Sequence, residues 1–118
     1  MASQRQQRVG RQILQEISMI VESELNDPRL VLVTFTEVRV TADLRTARVF
    51  FSCLGDDKQR KRCEEALKHA AGMLRRELGR RLSLRFVPAL HFEFDDSLQR
   101  AERINRLLGP SGGKGGDA

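Results

Sequence analysis

Residues 57–82 read DKQRKRCEEALKHAAGMLRRELGRRL, and this stretch decides the fold. Cys63, Leu67, Ala70, Leu74 and Leu78 recur at intervals of three and four, the spacing that gathers apolar side chains on one face of an α-helix. Gly55, Asp56 and Asp57 precede the stripe, and either aspartate can accept the free N–H groups of a first helical turn. Gly72 interrupts the stripe at about 1 kcal/mol relative to alanine, and Gly79 does so again near its end. The stretch is therefore predicted to be one kinked helix or two short ones.

On the N-terminal side, Val31, Val33 and Phe35 alternate in one phase and Val38 and Val40 in the other, which predicts a strand bulged near Thr36 or Glu37. Thr41 to Leu44 turn the chain into a second strand. There Ala47, Val49, Phe51 and Cys53 point one way and Arg48, Phe50 and Ser52 the other. On the C-terminal side, Leu84 to Asp95 form a third strand, with Leu90, Phe92 and Phe94 inward and His91, Glu93 and Asp95 outward. Pro88 argues for an edge or bulge position, since proline donates nothing to a ladder.

The chain opens with a helix over Gln4 to Leu25, whose Val9, Ile13, Ile17, Ile20 and Leu25 make an apolar stripe. Ser3 and Gln6 suit a capping box, and Asn26, Asp27 and Pro28 stop the helix. A last helix, capped by Asp96 or Ser97, carries Leu98, Ala101, Ile104 and Leu108 before Gly109 and Pro110 end it. The order is α-β-β-α(kink)α-β-α. This is an α+β domain over residues 4–108, with a three-stranded sheet and helices packed on one face. Residues 109–118, GPSGGKGGDA, are expected to be a disordered Gly-rich tail.

A chain of 118 residues, 40% hydrophobic, makes one core without a disulfide or metal staple. No apolar run approaches the ~20 residues of a membrane span, and no secretory signal opens the chain. Residues 1–15 carry arginines and no acid, as transit peptides do, yet serine is scarce and the helical pattern continues onward. Cys53 and Cys63 lie ten apart without a metal-ligand or redox spacing and read as reduced, packed thiols. Nucleotide-binding glycine loops, zinc-protease and hydrolase signatures are all missing. His91, Glu93 and Asp95 share a strand face where a metal or a proton relay is conceivable, but alternating polar residues are the ordinary solvated side of a sheet. No enzyme and no cofactor are expected.

Charge is the informative feature. Lys and Arg number 21 against 16 Asp and Glu, a net +5, so the first partner to consider is a polyanion. From Asp57 to Leu82 nine bases face four acids, which equals the whole chain's excess. Lys61, Lys68 and Arg75 recur every seven residues along one flank, with Arg62, Arg76 and Arg80 on the neighbouring flank and Arg81 beyond. Arg5, Arg8 and Arg11 extend the field. Ala70, Ala71 and Gly72 would let a phosphate approach the backbone and meet the positive end of a restarted helix; close packing of helix on sheet explains Gly72 equally well. There is no Trp or Tyr, and of six Phe only Phe50 clearly points away from the core, so base stacking is not expected as the main mode of binding.

A helix-kink-helix between the second and third strands resembles the KH domain of the type that begins with a helix. Asp27-Pro28-Arg29-Leu30, Val38 to Val49 with Asp43-Leu44, Ala70-Ala71-Gly72 with Leu74-Arg75, and Leu84-Arg85 through Pro88, Leu90 and Phe92 resemble the ribosome-binding factor A family, over about residues 5–108. Ala89 and Ala101 depart from that family's common residues. The resemblance implies a cytoplasmic, non-enzymatic, monomeric factor that binds the immature small (30S) ribosomal subunit and its 16S rRNA. It also implies assistance in late maturation and 5′-end processing, with greatest importance in the cold. In that family an Ala-x-Gly kink replaces the KH glycine loop, which carries over to Ala70 and Gly72. The expected RNA-binding residues are Lys61, Lys68, Ala70, Gly72, Arg75, Arg76, Arg80, Arg81, Arg8 and Arg11. No membrane and no small-molecule substrate are implied. The alternative is a generic KH-type binder of single-stranded RNA or DNA without ribosome preference.

Overall fold

The first helix starts where Ser3 and Gln6 exchange bonds: the Gln6 N–H donates to the Ser3 hydroxyl at 3.1 Å and the Ser3 N–H to the Gln6 carboxamide at 2.8 Å. Helix α1, Gln4–Glu24, then buries Val9, Ile13, Ile17, Ile20 and Val21. Asp27 accepts from the Arg29 N–H and starts a single 3-10 turn, Pro28–Leu30. The computed structural model describes residues 1–108, and there the chain continues as β1 (Val33–Val40), β2 (Thr46–Cys53), α2 (Asp57–Arg81), β3 (Ala89–Phe94) and α3 (Ser97–Leu107). The expected disordered tail lies outside the described residues.

The sheet order is β1-β2-β3, with β1 antiparallel to β2 and β2 parallel to β3, so α2 is the crossover that a parallel pair requires. Phe35 faces Phe51 and Glu37 faces Phe50, leaving Thr36 as the bulged residue where the change of phase predicts it. Val31 drops out of the strand and is 76% exposed, because the 3-10 turn occupies the chain just before it. Ala47, Val49 and Phe51 on the central strand are fully buried beneath α1 and α2. Gly10 is required at the α1–β1 crossing: a Cβ there would lie 2.7 Å from the Val38 carbonyl oxygen.

Three expectations need correction. Helix α2 runs through Gly72 without a break, which keeps the single-helix alternative and removes the second helix start with its free N–H groups. Cys63, Ala66, Leu67, Leu74 and Leu78 pack on both sides of the glycine. Their burial outweighs the ~1 kcal/mol that one glycine removes. The third strand begins at Ala89, whose N–H donates to the Arg45 carbonyl at 2.8 Å, so residues 82–88 are a connecting segment and buried Pro88 stands just outside the ladder. Finally, α3 does not join the helices over the sheet: Ala101, Ile104, Leu107 and Leu108 are all exposed, because α2 already lies over the inward side of edge strand β3.

Candidate nucleic-acid interface

Asp56 caps α2 by accepting from the Gln59 N–H at 3.0 Å, which fixes the helix start, and the buried Cys63, Ala66, Leu67, Leu74 and Leu78 set its rotation on the sheet. With about 100° per residue, the face opposite the core stripe carries Lys58, Glu65, Gly72 and Arg76. Lys61, Lys68 and Arg75 lie on one flank, and Arg62, His69 and Arg80 on the other, all exposed. Lys61 and Arg76 are separated by about 22 Å of helix.

The bases of α2 do not have equal freedom. Among the described residues, Lys61, Arg62, Lys68 and Arg76 form no ion pair. Arg75 donates through Nε and Nη2 to the Val87 carbonyl, at 3.1 and 2.8 Å, and so clamps the 82–88 segment to the helix. Arg81 bridges Glu16 and Glu24 of α1 as well as Glu77, and Arg80 pairs with Glu77 at 2.8 Å. Two bases there face three acids, so the C-terminal end of α2 is not a positive patch. Arg60 lies over the Phe94 ring at 4.9 Å, its Nε buried without a partner. The positive field is therefore centred between Lys58 and Arg76.

Gly72 sits exposed at the middle of that field. An added Cβ would meet only the Arg76 Nη1, at 3.8 Å, so packing of helix on sheet does not explain this glycine. Ala70 is half-buried beside it. Arg8 and Arg11 are exposed on α1 without ion pairs among the described residues.

The polar face of the sheet is internally neutralised. Arg48 grips Glu93 through two bonds of 2.7 and 2.9 Å, and this guanidinium holds the Glu93 carboxyl below its ordinary range. Asp95 accepts from the Ser97 N–H at 2.9 Å and the Thr36 hydroxyl at 2.7 Å, with the same downward effect. Both carboxylates are engaged by these partners, and no metal-ligating group of three comes together among the described residues. Cys63 is buried, and burial first, then the neighbouring Cys53, pushes its thiol up to about 12. Its Sγ reaches the Arg29 carbonyl at 3.3 Å, as a packed thiol does. The groove between the end of α1 and β1 carries Glu22 and Asp27 and no base, the wrong sign for RNA.

Sequence reasoning missed one aromatic. Phe86 is 53% exposed, with the Arg45 and Arg85 guanidinium groups 5.0 and 5.9 Å from its ring. Extending the strand back to Leu84 put Phe86 in phase with inward Leu90 and Phe92; the late start at Ala89 frees it. The adjacency of Arg85 and Phe86 was the available signal.

Several comparisons bear on this arrangement. The family model described as ribosome-binding factor A matches residues 5–108. Ribosome-binding factor A of Acetivibrio thermocellus is 46% identical over 106 residues, covering 89% of this chain and 86% of that protein. Its counterpart in Alkalilimnicola ehrlichii is 47% identical over 105 residues, covering 88% and 81%. The crystal structure of ribosome-binding factor A from Thermus thermophilus superposes with a TM-score of 0.66 at 26% identity, over 75% of this chain and 93% of that one. A Thermus thermophilus homology model fitted into a cryo-electron-microscopy map of a 30S complex gives 0.59 at 26% identity, over 81% and 97%. With the same α+β order and the match running through all the described elements, this chain belongs to the ribosome-binding factor A family.

Proposed function

We propose that this protein is a cytoplasmic, monomeric assembly factor that binds the immature small (30S) ribosomal subunit through its 16S rRNA. It assists late maturation and 5′-end processing, and it matters most in the cold, where RNA rearrangements are slow. No cofactor or small-molecule substrate takes part, and no bond is made or broken. The observation that carries this reading is Gly72, exposed among Lys61, Lys68 and Arg76, which form no ion pair among the described residues, in a helix that would be more stable with alanine there. A glycine that no described residue requires supports close approach by something outside the protein. Family membership supports RNA of the ribosome as that partner, and the relative fitted to a 30S complex supports the small subunit.

Lys61, Lys68 and Arg76 neutralise phosphates, with Arg62, Arg8 and Arg11 adding to the field and Arg75, Arg80 and Arg81 acting largely through the fold. Binding one RNA conformer more tightly than its alternatives shifts the population towards it, and release follows when the mature RNA no longer offers that shape. Co-sedimentation with immature and mature small subunits, large subunits and bulk RNA across a salt series tests this. Preference for immature small subunits, lost in a folded Lys61→Glu, Lys68→Glu, Arg76→Glu variant, is the expected result. Equal, salt-sensitive binding to every RNA would overturn it in favour of a generic KH module.

A further inference from the structure

The N-terminus of α1, the β1–β2 turn and the 82–88 segment converge on a cavity of about 250 Å³, below the roughly 300–1,000 Å³ of drug-sized ligand sites and suited to a single heterocycle. Val9, Leu44, Leu84 and Pro88 give it an apolar floor, and half-exposed Phe86 forms a wall. Arg5 and Arg85 line the mouth, and Arg45 and Arg85 stand over the Phe86 ring at 5.0 and 5.9 Å. The one acid there, Asp43, is occupied within the turn, accepting from the Thr41 hydroxyl at 2.7 Å and the Arg45 N–H at 3.0 Å.

Two features show that this place is held in shape. Leu44 adopts a left-handed φ of 61°, a conformation glycine would take without strain, and its side chain forms part of the floor. Arg75, on the α2 ridge, fixes the Val87 carbonyl one residue from Phe86. The cavity is therefore tied to the basic helix.

We propose that this cavity is a binding site for one unpaired RNA base, stacked on Phe86 as Arg45 and Arg85 move from the ring to the flanking phosphates beside Arg5. Resting on the RNA-binding reading above, it adds what that reading lacks: a means of telling a bulged or single-stranded nucleotide from a continuous duplex. An apolar floor accepts any base face, so the preference is for an extruded base rather than for one sequence.

The test compares an RNA hairpin bearing one bulged adenosine with the same hairpin fully paired. The wild-type chain is expected to prefer the bulged hairpin, and Phe86→Leu to erase that preference, weakening bulge binding about tenfold. The salt slope should hold in Phe86→Leu but fall by about one in Arg85→Gln. The chain has no tryptophan, so Phe86→Trp supplies a single fluorophore that should keep the preference and be quenched on binding. Circular dichroism of each variant separates a lost site from a lost fold. An undiminished bulge preference in folded Phe86→Leu, or unquenched fluorescence at saturating RNA, would overturn the site while leaving the ridge intact. Failure of the wild-type chain to bind either RNA would overturn the base site, while the co-sedimentation series decides the ridge reading separately.

Discussion

Two glycines, both inside helices, meet opposite surroundings. Gly10 is buried against the backbone of β1, where a methyl group would sit 2.7 Å from the Val38 carbonyl oxygen. Gly10→Ala is expected to cost about 1–3 kcal/mol, read as a lower urea midpoint, because backbone must move to admit it. Gly72 faces solvent with room for that methyl. Gly72→Ala should raise stability by about 0.5–1 kcal/mol on the same measurement, while weakening binding to immature small subunits. A more stable protein with unchanged binding would make the glycine incidental. Sequence spacing marked Gly72 as an interruption, but whether anything packed on it depended on which face of α2 turned to the sheet.

At the level of elements, Arg75 ties the connection between α2 and β3 to the helix, alongside the packing of Leu82, Leu84, Val87 and Pro88. Arg75→Ala removes both bonds to the Val87 carbonyl, so tryptic cleavage after Arg85 should accelerate, whereas in Arg76→Ala it should stay at the wild-type rate. The two arginines are neighbours in sequence and read alike as ridge residues. They differ because the 82–88 segment, placed by the late start of β3, comes within reach of only one. Helix α3 makes the converse point. Its stripe of Ala101, Ile104 and Leu108 has the spacing of a core helix, yet these residues are exposed. A chain ending at Leu98 should unfold within about 0.5 kcal/mol of the full chain.

Across the whole molecule, charge is arranged so that acid should unfold the protein. Asp27 is held low by the Arg29 guanidinium, Asp43 by the Thr41 hydroxyl, Glu93 by Arg48 and Asp95 by the Ser97 N–H, each below ordinary values of 3.8 for aspartate and 4.5 for glutamate. A depressed carboxyl stabilises the fold above its ordinary value, and that contribution disappears as pH falls through the folded value. The urea midpoint should therefore hold from about pH 7 to about pH 5 and drop below about pH 4, as the net +5 grows with every acid neutralised. The order of the elements, the capping box, a bulge near Thr36 or Glu37, the buried stripes of α1 and α2, and the basic excess on α2 were all legible in the sequence. These follow from periodicity and local backbone chemistry, which neighbouring residues settle among themselves. Long-range packing settled that Arg81 is spent on Glu16 and Glu24, that Arg75 clamps Val87, that α3 leaves its apolar stripe exposed, and that Phe86 opens to solvent beside Arg5, Arg45 and Arg85. A long side chain's partner is set by whatever the fold brings within about 4 Å, and that depends on residues far away in the chain.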